Sequence, residues 1–147
     1  MRKQIKLNSV VRIIDANLNR SKEGLRVCEE IARFILEDRK ITCELKETRH
    51  AISTLVELIA NKKELISCRY SKEDIGMNIL GKELKRGSIE DIFMANIQRA
   101  KESVRVMEEF SKLIDKKAAL AFKRMRYSLY ETEKRALKKI ASLSDIR

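Results

Sequence analysis

An all-α fold, a four-helix bundle of two repeated helical hairpins related by a pseudo-twofold axis, follows from three features of this 147-residue chain. It holds no proline and only four glycines, so turn signals are scarce. Lys, Glu, Leu, Ile, Ala and Arg dominate it, which favours long helices over a sheet with many hairpins and excludes an all-β fold. It also repeats itself: Ala16 to Glu30 aligns with Ala95 to Glu109, identical at nine of fifteen positions.

Helix one is expected from about Ser9 to Leu36 and helix two from about Thr42 to Asn61, each with apolar residues at three and four spacing. Ser88-Ile89-Glu90-Asp91 reads as a capping box opening helix three, which runs to about Ile114. Helix four follows from about Ala118 to Ala141. Leu45-Lys46 with Arg49-His50 matches Phe122-Lys123 with Arg126-Tyr127, so each half is a hairpin. Residues 1–147 form a single helical domain: repeat one over about 9–61, a central loop over about 62–87 and repeat two over about 88–141. The loop holds Gly76, Gly81 and Gly87, and loops this long in compact domains tend to carry function.

A chain of this mass hides roughly two-thirds of its unfolded surface on folding, enough for a core without disulfides or metals. Cys28, Cys43 and Cys68 are odd in number and lack C-x-x-C spacing, so buried free thiols are expected. With 33 basic and 22 acidic residues, the net charge of +11 concentrates anionic partners: nucleic acid, an anionic membrane or phosphorylated small molecules. No run approaches a membrane span and no apolar signal core follows Met1, so a cytoplasmic protein without membrane partners is expected. Aromatics make up only 5% of the chain, which leaves few platforms for stacking bases, and the basic stretch of helix four reads as a solvated face.

Some motifs fail on inspection. Gly76 to Lys82 matches G-x-x-x-x-G-K, but Glu83 stands where the Ser or Thr belongs and no βαβ unit surrounds it. Lys82 keeps two readings, a phosphate contact or a solvated loop lysine. His50 is the sole histidine, too little for a Ser-His-Asp arrangement or a His-based metal site.

Stepping 100° per residue along helix one puts Ile14, Val27, Cys28, Ile31, Phe34 and Ile35 on one face and Lys22, Arg26, Glu29 and Arg33 opposite. Asn17, Arg20 and Gly24 fall on the apolar face, where an unpaired charge costs several kcal/mol. The anomaly recurs as Asn96 and Arg99, while Arg49 and Arg126 lie beside the apolar stripes of helices two and four. Twofold packing is expected to bring these six polar residues toward one cavity. Either Arg20 and Arg99 pair with Glu23, Glu102 or Asp15 in a polar layer, or the six line an anion pocket. The anion pocket is the preferred reading, since guanidinium forks suit phosphate oxygens and carboxamides suit a heterocycle or hydroxyl.

The run Arg12 to Arg20, then Glu23 to Glu30 and Arg33-Phe34, resembles the signature of the small monofunctional hydroxymethylpyrimidine phosphate kinase family of thiamine biosynthesis. Leu45-Lys46, Arg49-His50, Arg69, Asp74-Ile75-Gly76, Ala95-Asn96 and Arg99 to Glu109 are similar to family positions too. The family's central loop is richer in Gly and Pro; here Tyr70 follows Arg69 and no Pro occurs. That domain is often fused ahead of thiamine-phosphate synthase, which the resemblance makes an expected partner, and 147 residues leave no room for the synthase's β/α barrel.

The resemblance implies transfer of the ATP γ-phosphoryl group to the phosphate of 4-amino-5-hydroxymethyl-2-methylpyrimidine phosphate, giving the diphosphate, with ATP and Mg²⁺ bound. The acceptor is already anionic, so positioning and charge neutralisation suffice. For this chemistry Arg20, Arg99, Arg49 and Arg126 are assigned to phosphate clamping, with Lys46 and Lys123 as secondary cations. Asn17 and Asn96 hold the pyrimidine or a phosphate, Gly24 leaves room for the pyrimidine, and Arg69 and Lys82 bind substrate from the loop. Asp74 is the first candidate for Mg²⁺, before Glu23 and Glu102. A homodimer is permitted and not required. The rival readings are a chorismate-mutase-like helical enzyme, a basic nucleic-acid-binding protein, and a binding-only regulatory domain associated with thiamine-phosphate synthase.

Overall fold

The computed structural model describes residues 2–77 and 84–144. Lys82 and Gly81 lie outside the described residues. The described chain is all-helical: α1 (Arg2–Phe34), α2 (Arg39–Glu57), α3 (Lys62–Ser67), a 3₁₀ turn at Ser71–Glu73, α4 (Ile89–Ser111) and α5 (Lys116–Ser144). Among the described residues α1 packs on α4 and on α2, α4 packs on α5, and α2 meets α5.

Local chemistry sets the boundaries. Asp38 caps α2 by accepting the Ile41 N–H at 2.8 Å, and Asp115 does the same for α5 from the Lys117 and Ala118 N–H groups. Ser88 accepts the Asp91 N–H at 3.1 Å, so the expected capping position opens α4. The link from α1 to α2 turns at Glu37, whose φ of 51° is a left-handed conformation without glycine to ease it. Helix two ends at Glu57, short of the expected Asn61, because Asn61 instead caps α3: its carbonyl accepts the Glu64 N–H and its amide donates to the Glu64 carboxylate, both at 2.9 Å. Part of the expected loop is therefore helix.

Ile14, Leu25, Leu45, Ile52, Phe93, Ile97, Val104, Met107, Phe122 and Leu129 are fully buried. Each such side chain contributes roughly 1.5–3 kcal/mol. The register of the central pair is fixed by two contacts. The Cys28 thiol donates to the Phe93 carbonyl at 3.7 Å, and a Cβ on Gly24 would stand 2.7 Å from the Asn96 carbonyl oxygen and 3.6 Å from the Ala100 nitrogen. Residue numbers rise along α1 as they fall along α4, so the two helices are antiparallel and cross at Gly24.

Several expectations are corrected here. Arg20 and Arg99 are exposed, because on α1 and α4 alike the positions beside the helix contact open to solvent rather than to the core. Phe34 and Ile35 are exposed because α1 ends at Phe34 and the chain turns away. Glu29, expected on the solvent face, is buried. Gly24 leaves no space for a pyrimidine; it is where two helix backbones touch. Of the thiols only Cys28 is buried; burial first, and the Glu133 charge second, push it up to about 12, while Cys43 is exposed. Among the described residues no helix is long and apolar enough to cross a membrane.

Candidate functional site

The polar residues that stand out in the fold are two carboxylates on the central pair, each gripped by an arginine of the following helix. On α4, Glu108 accepts the Arg126 Nε–H at 3.1 Å; on α1, Glu29 accepts the Arg49 Nε–H at 2.9 Å. Glu108 and Glu29 side chains are 4% and 6% exposed, and their arginines 14% and 15%. A second arginine braces each: Arg105 contacts Glu108 and Glu109, and Arg26 contacts Glu29 at 3.8 Å and Glu30 at 3.1 Å. Burying one ion without its partner is costly, so each pair locks its hairpin.

Around Glu108 the hairpin α4–α5 opens a cleft of about 670 Å³ whose rim carries Arg105, Lys112, Lys116, Lys123 and Arg126; Lys112 and Arg105 also pair with Glu109, at 2.6 and 3.0 Å. Arg126 also donates to the Tyr130 hydroxyl at 2.9 Å and lies 5.3 Å from the Tyr127 ring centre. Its pKa is raised above the ordinary arginine value, first by the Glu108 hydrogen bond and then by Tyr130, so it is a fixed cation. Five cations against two carboxylates, Glu108 buried and Glu109 half-exposed, leave an excess of positive charge that suits a polyanion such as a chain of phosphates.

A different site lies between α1 and α3. Arg69, just past α3, donates from Nε to Asp15 Oδ2 at 2.9 Å and from Nη2 to Oδ1 at 3.0 Å. Asn19, one turn along, donates to the Asp15 carbonyl at 3.0 Å. On one side of this pair is a cleft of about 250 Å³ with Leu18, Val56, Leu65 and Ile66 as its apolar wall and Lys22, Lys62 and Glu57 on its lining. On the other is a cleft of about 150 Å³ bordered by Arg12, Tyr70, Ser71 and Asp74. Such a combination, an apolar wall with a carboxylate and an amide at one end and cations at its edge, fits a small flat polar ring carrying an anionic group. The antiparallel register carries Asp15 to the level of Met107 and Glu108 along the central pair.

The structure separates residues that were expected together. Arg49 belongs to the α1–α2 hairpin, Arg126 to the α4–α5 hairpin, and Arg20 and Arg99 sit at the α1–α4 crossing, where neither forms an ion pair among the described residues. Asn17 and Asn96 each donate to their own helix, to the Ile13 and Ile92 carbonyls at 2.8 Å. Asp15, one proposed partner of Arg20, is taken by Arg69. Lys123 lines the cationic cleft and Lys46 is exposed on α2. Asp74 accepts the Gly76 N–H at 2.8 Å at the mouth of the smaller cleft; Glu23 is exposed, as is Glu102, which accepts from Gln98. Among the described residues no three His, Cys, Asp or Glu side chains gather for a metal.

Sequence reasoning missed Glu29, Glu108, Arg105, Lys112 and Lys116. The available signal was the identity of Arg26-Val27 and Glu29-Glu30 with Arg105-Val106 and Glu108-Glu109 between the repeats.

Comparison with known proteins bears on what these clefts serve. Over 126 residues the chain is 36% identical to the thiamine-phosphate synthase of Synechocystis sp., covering 85% of this chain and 35% of that protein. It is 35% identical over 137 residues to the thiamine-phosphate synthase of Rhodopirellula baltica (92% and 36%) and 38% identical over 125 residues to that of Nostoc punctiforme (84% and 34%). The chain thus spans about a third of the length of these curated relatives. No solved structure matches it. Residues 12–135, holding both gripped carboxylates and the Asp15–Arg69 pair, match the ThiD2 family, and the chain belongs to that family.

Proposed function

We propose that the protein is a kinase of thiamine biosynthesis that transfers the γ-phosphoryl group of ATP to the phosphate of 4-amino-5-hydroxymethyl-2-methylpyrimidine phosphate, giving the diphosphate. Membership of the ThiD2 family and likeness to thiamine-phosphate synthases support the pathway. The observation that carries the reaction is the presence, at one level of the central helix pair, of a strongly cationic cleft on the α4–α5 hairpin and a smaller, partly apolar one beside α1 and α3. The two hairpins, with matching caps and matching Arg–Glu pairs, also support a four-helix bundle about a pseudo-twofold axis, α3 being an addition to it.

In this reading the α4–α5 cleft takes the ATP phosphates. Lys112, Lys116, Lys123 and Arg126 neutralise them, and Glu108 holds Arg126 in place rather than touching substrate. The α1–α3 cleft takes the pyrimidine: the ring packs on Val56 and Leu65, its amino group donates toward the Asp15 and Asn19 edge, and Lys22 and Lys62 attract its phosphate. Arg20 and Arg99, exposed and without ion-pair partners among the described residues, supply guanidinium forks for charge in transit. Among the described residues this reading gives Mg²⁺ to Asp74 at the mouth of the smaller cleft, with the remaining positions left to phosphate oxygens and water, where the ion would offset phosphate charge. No side-chain base is needed, because the attacking oxygen already carries negative charge.

Steady-state kinetics test the division of labour. Lys123→Ala is expected to raise KM for ATP about tenfold and Lys62→Ala to raise KM for the pyrimidine phosphate, each leaving the other KM unchanged, a tenfold change being worth about 1.4 kcal/mol. A second reading, a binding-only domain that serves thiamine-phosphate synthase, draws on the chain spanning a third of synthase relatives. It predicts a rise in melting temperature with the pyrimidine phosphate and no ADP.

A further inference from the structure

The charge around Glu108 is repeated around Glu29. Arg105, Lys112, Lys116, Lys123 and Arg126 occupy positions whose equivalents in the first hairpin are Arg26, Arg33, Arg39, Lys46 and Arg49. All five are basic. With 33 basic residues among 147, composition alone does not supply a match at every position. Arg26 and Arg49 contact Glu29 as Arg105 and Arg126 contact Glu108. The hairpin turns agree as well, Asp38 capping α2 as Asp115 caps α5. Yet Arg33, Arg39 and Lys46 are exposed and form no ion pair among the described residues, the Arg33 guanidinium resting instead on the Phe34 ring at 4.8 Å. A fold needing only the buried Arg49–Glu29 clamp has no use for three further cations beside it, since unpaired like charges repel.

We propose that the α1–α2 hairpin carries a second oligophosphate-binding site, built on Arg33, Arg39, Lys46 and Arg49 around Glu29. The protein therefore takes two phosphate chains, one on each hairpin. The sites differ in their floors. Tyr127 and Tyr130, which flank Arg126, are replaced at the equivalent positions by His50 and Ser53, and Leu120 by Cys43. The first-hairpin site thus lacks the tyrosines and the leucine of its counterpart; its exposed aromatic is Phe34, whose ring centre lies 4.8 Å from the Arg33 guanidinium, and the proposal concerns the phosphate chain alone. The proposal rests on the reading of the α4–α5 cleft as a phosphate site, extended to its counterpart.

Equilibrium titration of the full chain with inorganic tripolyphosphate at constant ionic strength tests it. The variants Arg33→Ser/Lys46→Ser and Lys112→Ser/Lys123→Ser change only exposed side chains and leave both Arg–Glu clamps in place, with the melting curve as the check on folding. Two sites per chain are expected for the wild type, one for each double variant and none for the quadruple variant. A single wild-type site, lost with Lys112→Ser/Lys123→Ser and untouched by Arg33→Ser/Lys46→Ser, overturns the second site and leaves the α4–α5 reading standing. No saturable binding, or diffuse binding that neither pair alters, overturns both.

Discussion

Arg69 grips both oxygens of Asp15, Nε to Oδ2 at 2.9 Å and Nη2 to Oδ1 at 3.0 Å, across 54 residues of sequence. The position equivalent to Asp15 in the second repeat is Met94, which is exposed, so this pair belongs to one half alone. It is what makes the α1–α3 cleft different from anything in the second hairpin.

Removing Arg69 leaves the buried Asp15 carboxylate without its cation. Because the Arg69 side chain is 43% exposed, Arg69→Met is expected to cost about 1–2 kcal/mol, below the value for a fully buried pair. Denaturant unfolding measures this. The double variant with Asp15→Asn should recover part of the loss, and strictly additive effects would show that the two groups do not interact.

Gly24 carries a prediction about packing rather than binding. A methyl group there meets the Asn96 carbonyl at 2.7 Å, a backbone atom that moves only with its helix. Gly24→Ala gains roughly 1 kcal/mol of helix propensity and loses about 1–3 kcal/mol to overpacking, so net destabilisation is expected. Ser103→Ala, at the equivalent position, removes only a bond to its own helix's Arg99 carbonyl and is expected to be milder. Melting temperatures of the two variants decide the order.

How much of this was legible in the sequence is seen in particular residues. The repeat located both hairpins and the matched Asn17 and Asn96, because helix-internal contacts are local. It placed Glu29 on the solvent face, since a helical wheel knows nothing of Arg49 arriving from the next helix. Asn61 and Glu64 spell a capping box, but α3 is only six residues long, too short for a helical period to mark it. Arg69 and Asp74 were singled out only through a family resemblance; nothing in periodicity links them to Asp15, because that pairing is made by the chain's return after α3.

Stability in acid should depend on Asp38. Its carboxyl is held below the ordinary value of 3.8, first by the Ile41 N–H and then by Lys139, whose Nζ is 2.5 Å away. A depressed folded pKa means the unfolded chain binds the proton more readily. The stabilisation is therefore complete above the ordinary value and is lost as pH falls through the depressed one. Asp38→Asn keeps the cap and removes the charge. It is expected to cost about 0.5–1 kcal/mol at pH 7, with the gap from wild type closing toward pH 2 in urea titrations.

Thiol chemistry separates the cysteines. Cys28 is buried, hydrogen-bonded to Phe93 and raised to about 12, whereas Cys43 is exposed. An aromatic disulfide reagent at pH 8 should modify Cys43 in the native protein and reach Cys28 only on unfolding, as read by mass spectrometry of peptides.

The central claim is the phosphoryl transfer, and ADP release with ATP, Mg²⁺ and the pyrimidine phosphate measures it directly, with free hydroxymethylpyrimidine as the parallel acceptor and Arg20→Ala and Arg99→Ala as variants. Turnover of the phosphorylated acceptor alone, reduced at least a hundredfold in each variant, is the predicted result. No ADP above background while the pyrimidine phosphate still raises the melting temperature would contradict the kinase and leave a binding domain in its place.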